Sequence, residues 1–133
     1  TITLGAGVFK MVLAKAASNA STFTLSVYGS LTNEVAAAGG YVTGGRNLLP
    51  ATGQWIQGAS AKQQKFTLSS VGLAFTASGA SIVDIKYAII RNSTGSTAGK
   101  LLCWCQLSSA NFTVTSPNTL TVLPAATGIF TLT

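Results

Sequence analysis

Short strand-forming runs, interrupted about every 8 to 12 residues by Gly, Ser, Asn or Pro, constrain this chain more than any other feature of its sequence. Residues 8–14 form an apolar run bounded by Gly7 and a small polar stretch, and predict a buried strand. Residues 22–28 alternate polar and apolar with period two and predict a half-buried strand, although Ser21 or Thr22 would also suit the start of a short helix. Glu34 opens a stretch with helical propensity for one turn at most before Gly39-Gly40. With Gly44-Gly45 close behind, the segment reads as a loop holding a short extended piece at 41–43. Residues 48–58, with Trp55, read as irregular. Two short strands follow at 65–69 and 71–76, then a turn at 78–80. The β-branched and aromatic run 82–91 predicts one central strand covered on both faces. Residues 92–99 are a turn by composition, and 100–107 return as a hairpin partner. The pattern ends with strands at 111–115, 119–123 and 128–133. This spacing predicts an all-β fold, a compact sandwich or jelly-roll-like barrel of short antiparallel strands with very little helix, as a single domain over 1–133.

Composition narrows the surface. The 133 residues are 47% hydrophobic and only 8% charged, where about 25% is ordinary, and 18 Thr and 14 Ser supply much of the polarity. Such a surface is best tolerated when much of it is covered by neighbours, which points to assembly. The net charge of +6 reflects missing acids, since eight bases face only Glu34 and Asp84. The bases are scattered and not interleaved with aromatics, so dedicated nucleic-acid binding is not expected. No apolar run approaches the roughly 18 to 20 residues of a membrane-spanning helix. Residues 1–13 carry no secretory signal pattern, and a start at Thr1 is the expected result of removing an initiator methionine.

Groups suited to catalysis are sparse. The chain has no His, and Glu34 and Asp84 lie far apart in sequence. Glu34 is expected to anchor its loop through backbone amides. Asp84 is expected to pair with a Lys or Arg, across strands or between subunits. The Gly pairs lack phosphate-loop spacing, and no cofactor or metal is expected. Cys103 and Cys105 would share one face of a strand. Their Cα atoms, about 6.6 Å apart with parallel Cβ vectors, suit two small buried hydrophobes better than a disulfide.

Leu31-Thr32-Asn33-Glu34-Val35, then Gly39-Gly40-Tyr41 and Gly44-Gly45, open a series of short motifs. Lys86-Tyr87-Ala88-Ile89-Ile90-Arg91-Asn92-Ser93-Thr94-Gly95, Leu101-Leu102-Cys103-Trp104-Cys105 and Ala126-Thr127-Gly128-Ile129-Phe130-Thr131-Leu132 continue it. In order and spacing these resemble a family of small virion structural proteins of tailed bacteriophages, and together they span most of the chain. The Cys-Trp-Cys departs from that family's mostly aliphatic pattern. The resemblance implies a non-enzymatic virion component, made in the bacterial host cytoplasm, with no catalytic residues to carry over. Among such roles a capsid decoration or cement protein fits best, its partners being the major capsid protein and neighbouring copies of itself, as a trimer.

For that role the basic residues Arg46, Lys62, Lys65 and Arg91 are the expected contacts, because capsid surfaces offer carboxylates that this chain lacks. The alternative is a tail, neck or fibre component, including a host-binding tip, with Trp55 and Tyr41 as exposed aromatic contacts beside the Gly pairs. A small hydrolase built on Glu34 and Asp84 is the remaining class, and needs their carboxylates within about 10 Å.

Overall fold

A computed structural model describes residues 8–22, 24–48, 55–57, 60, 62–67, 72–94, 99–123, 125 and 129–132. Its strands are β1 (Phe9–Ala14), β2 (Arg46–Asn47), β3 (Trp55–Gln57), β4 (Gln64–Phe66), β5 (Leu73–Thr76), β6 (Ile82–Ile85), β7 (Tyr87–Asn92), β8 (Leu101–Gln106), β9 (Phe112–Val114), β10 (Thr119–Val122) and β11 (Phe130–Leu132). One 3-10 turn, Tyr28–Ser30, is the helical element among the described residues. The protein is therefore all-β, and every strand pair among the described residues is antiparallel.

The largest sheet has the order β2-β1-β7-β8. One of its faces turns Phe9, Met11, Leu13, Ala88 and Ile90 into the main core. There they meet Phe66, Leu73, Phe75, Ile82, Ile85, Val114 and Val122 from the β3-β4-β11, β5-β10 and β6-β9 groups, which form a second layer. Phe9 and Phe66 meet edge to face across the layers, centroids 5.5 Å apart. The other face, with Val12, Ala14, Tyr87 and Ile89, is covered by Ala20, Tyr28 and Leu31 from the segment after β1. A strand buried on both faces reads as a near-continuous apolar run, and β1 does apart from the half-buried Lys10.

Four expectations are corrected. The run 82–91 is two strands, not one. Asp84 takes φ +60°, a left-handed conformation that Asp adopts more readily than most residues, and the register of β6 against β9 shifts there. β6 then stays with β9 while β7 joins β1 and β8. The burial of Ile82 and Ile85, three apart around the exposed Val83 and Asp84, is the trace of this bulge. Within 22–28 the chain turns, with Leu25 N–H on the Thr22 carbonyl, and only Val27 forms an isolated bridge, to Lys100. That segment lies over the second face instead of extending a sheet. Residues 41–43 join no strand either, and turns close on both sides of them through Tyr41 N–H to Ala38 O and Gly45 N–H to Val42 O. Trp55, expected in irregular chain, begins β3 and pairs with Phe66. The expected strand residues 68, 69, 71, 128 and 133, the irregular residues 49–54 and 58, and the turn residues 95–98 lie outside the described residues.

Gly45, just before β2, shows how tightly the chain meets β1 there. Its φ is +81°, and a Cβ there would overlap the Met11 carbonyl. Gly79 has a similar φ of +72° but open space around it. Gly79→Ala is expected to cost about 1–2 kcal/mol, the strain of the left-handed backbone. Gly45→Ala adds a collision with backbone and is expected to lower the thermal midpoint clearly further. Equal losses for the two variants in thermal unfolding would contradict this packing.

Candidate functional site

Glu34 is held where its backbone meets the end of β1. Lys15 N–H bonds the Asn33 carbonyl and Val35 N–H the Leu13 carbonyl, each at 3.0 Å, with a bridge between Ala14 and Glu34. This turns the carboxylate inward. Oε1 accepts from the Tyr41 hydroxyl and from Gly44 N–H, both at 2.7 Å, and Oε2 accepts from the Tyr28 hydroxyl at 2.5 Å. Tyr41 in turn accepts Leu13 N–H at 3.0 Å. Arg91, on β7, donates Nε and Nη2 to the Gly44 carbonyl at 3.1 and 3.0 Å, and its guanidinium lies 4.2 Å over the Tyr28 ring. Glu34 thus anchors its loop through a backbone amide, as the sequence suggested, and through two tyrosines that the sequence did not reveal.

The electrostatics follow from this geometry. Burial, then the hydrogen bond to Glu34 and its charge, push the Tyr28 hydroxyl up to about 12. Burial and the bond to Glu34 push Tyr41 further in the same direction. Both hydroxyls are held protonated, as donors to the carboxylate. Asp84 pairs with Lys15 at 3.4 Å, with side chains 51% and 31% exposed, so this is a surface pair of modest worth. The two carboxylates are engaged by different partners.

The expected contact residues divide. Arg46 on β2 is exposed, with its guanidinium also donating to the Ala74 carbonyl. Lys62 is exposed, and Lys65 is half-buried in β4. Arg91 is corrected: its guanidinium is bound to Gly44 and Tyr28, so it holds the loop to the sheet. Tyr41 is corrected as well, being 3% exposed and bonded through its hydroxyl to Glu34 and Leu13. The contact expected of the Trp55 side chain lies outside the described residues.

The surface that sequence reasoning missed lies around β8. Trp104 is 47% exposed, its ring edge-on to Tyr87 at 5.9 Å, and Leu123 is 61% exposed. An apolar groove of about 250 Å³ runs beside them, lined by Met11, Ile90, Cys103, Cys105, Val122 and Leu123 among others. The two cysteines are free and do share a face. Cys103 is half-buried against the core, whereas Cys105 is exposed at the groove's rim, which corrects the expectation of two buried residues. Burial raises both thiols, Cys103 to about 11 with the neighbouring Cys105 adding to the shift. Among the described residues no group of three His, Cys, Asp or Glu side chains is placed to hold a metal ion, and no helix is long and apolar enough to cross a membrane.

Comparison with known proteins found no family model that matches the chain, and no curated protein or solved structure similar to it.

The tyrosine shifts have a defined pH consequence. Their folded values lie above the unfolded value near 10, so the folded state favours the protonated hydroxyls. The associated stability is fully present below about pH 10 and is lost as pH rises from there through the folded values. Thermal unfolding followed with tyrosinate absorbance should show that decline. Glu34→Ala should cost about 1–3 kcal/mol at neutral pH by orphaning the buried Tyr41 hydroxyl. It should also bring tyrosine ionisation to lower pH, part of the way back toward 10 because burial remains. An unchanged tyrosine titration in Glu34→Ala would contradict the arrangement.

Proposed function

We propose that this protein is a non-enzymatic structural component of a bacteriophage virion, a decoration or cement protein that binds the major capsid lattice and adjoining copies of itself. The observation that carries this reading is the combination of an acid-poor, weakly charged surface with two exposed apolar side chains, Trp104 and Leu123, beside one groove at the β8 edge of the largest sheet. Trp104, Leu123 and the neighbouring groove give that edge the apolar centre of a protein contact. The motif order that resembles tailed-phage virion proteins supports the same assignment. Glu34, the one acid tied into the interior network, is occupied in holding the fold together.

As a clamp, such a domain adds interface area between capsomers, and many copies multiply a modest individual affinity. Basic side chains steer it toward acidic shell surfaces. Placement in a tail, neck or fibre is the second reading. Burial of Tyr41 removes one of the two aromatic contacts expected for it, while exposed Trp104 supplies another.

Charge reversal tests the shell-binding step. Arg46→Glu, Lys62→Glu and Lys65→Glu together bring the net charge from +6 to zero and leave Arg91 in place on the Gly44 carbonyl. The triple variant should keep its strand circular dichroism and should bind poorly to phage particles lacking the protein, in co-sedimentation at low salt, with the difference narrowing as salt rises. Binding equal to that of the unaltered chain at low salt would overturn the electrostatic part of the proposal.

A further inference from the structure

The two edges of the largest sheet are built differently. β2, at one edge, has two residues and carries Arg46, so it is short and charged, as protected edges commonly are. β8, at the other, runs six residues as Leu-Leu-Cys-Trp-Cys-Gln, with no charge, proline or glycine. Among the described residues no strand pairs with its outer side. Leu101 alone is covered there, its N–H bonded to the Ser26 carbonyl at 3.0 Å.

Register fixes which groups face outward. Ala88 lies opposite Cys105, Ile90 opposite Cys103, and Leu107 N–H bonds the Lys86 carbonyl at 2.8 Å. Cys103, Cys105 and Leu107 therefore turn their backbone groups toward β7. The intervening Trp104 and Gln106 turn theirs away from the sheet. The open run is 102–106, and its midpoint is Trp104.

We propose that two copies of this chain join edge to edge through β8, antiparallel about a two-fold axis at Trp104, with Cys103 of each copy opposite Cys105 of the partner subunit. Only an antiparallel self-pairing lets one strand serve both sides of a closed dimer. Centring it on Trp104 matches outward-facing groups with outward-facing groups at its middle, and sets Gln106 opposite Leu102 of the partner subunit, the residue at which the register of β8 against β7 shifts. Trp104 then forms the hydrogen-bonded pair with its own counterpart, and the cysteines occupy the flanking non-hydrogen-bonded sites. In such sites Cα atoms approach to about 4.5 Å and side chains are closest. Charge leaves room for a second copy here. Two molecules at +6 repel, but this strand contributes no charge, and Lys100, just before it, falls opposite the neutral Ser108 of the partner subunit. The pairing joins two four-stranded sheets into one of eight strands.

This inference deepens the self-association in the proposed function and rests on that part of it, with a two-fold pair in place of the trimer that the resemblance implies. Five residues of strand make a small interface, so the pairing is weak between free molecules and gains strength when copies are held side by side.

Oxidative trapping reads the contact directly. Diamide accepts two electrons and two protons from a pair of thiols, becoming the hydrazine as the disulfide forms. The unaltered chain treated with diamide should yield a dimer on a denaturing gel that reductant dissolves. Cys103→Ser alone and Cys105→Ser alone should not cross-link, because equivalent cysteines stand about 7–8 Å apart on the diagonal. A mixture of the two variants should cross-link, through the remaining Cys105 of one and the remaining Cys103 of the other. Trp104→Lys places two lysines face to face on the axis and should reduce trapping at least about tenfold while circular dichroism stays unchanged. No trapped dimer, or cross-linking by either single variant as fast as by the mixture, would overturn the proposal. The readout uses free protein, so loss of shell binding leaves it intact, and loss of trapping leaves co-sedimentation with particles intact.

Discussion

Burial of β1 and β7 on both faces governs the rest of this structure. A small chain that buries both faces of its central strands must supply a second cover, and here Ala20, Tyr28 and Leu31, from the segment after β1, provide it. That segment contains little regular structure to hold it in place. Glu34 does so: its carboxylate meets Tyr28, Tyr41 and Gly44, while Arg91 from β7 binds the Gly44 carbonyl. Gly44 thus stands between the acid and the base, giving its N–H to one and its carbonyl to the other. A charge withdrawn from water is costly unless it is paired, so conformations that separate Glu34 from these donors are disfavoured. The network selects one path for a loop that hydrophobic contact alone would hold loosely.

Much of the architecture was legible because the signals were local. The apolar run before Ala14, the hairpin of β7 and β8, and the turn near Pro117 with strands on either side each follow from composition and spacing. The break at Asp84 was not, because a left-handed residue inside an apolar run leaves only a three-residue spacing of Ile82 and Ile85 as its mark. The alternation in 22–28 misled because period two reports a face toward apolar neighbours, and a turning segment lying across a sheet can meet it too.

The candidate contact residues were legible only in part, for a related reason. Arg91 and Tyr41 have the composition of surface contacts, yet their partners lie 47 and 28 residues away, at Gly44 and Leu13, and only the fold brings them together. That Cys103 and Cys105 share a face followed from strand geometry. Their unequal exposure depends on β8 lying at the sheet edge, which sequence periodicity does not report. The interior network consumes the residues that looked most available, and the uncharged edge strand becomes the surface most suited to another protein.

The proposed cement role would join these features: a core locked from within, few charges outside, and a neutral edge open among the described residues. Cryo-electron microscopy of purified particles carrying the protein, with copies counted and located, tests it most directly. The expected result is many copies spread over the icosahedral lattice, each bridging major capsid subunits. A ring of a few copies at one vertex, or copies confined to a tube, would contradict it and assign the protein to the neck or tail.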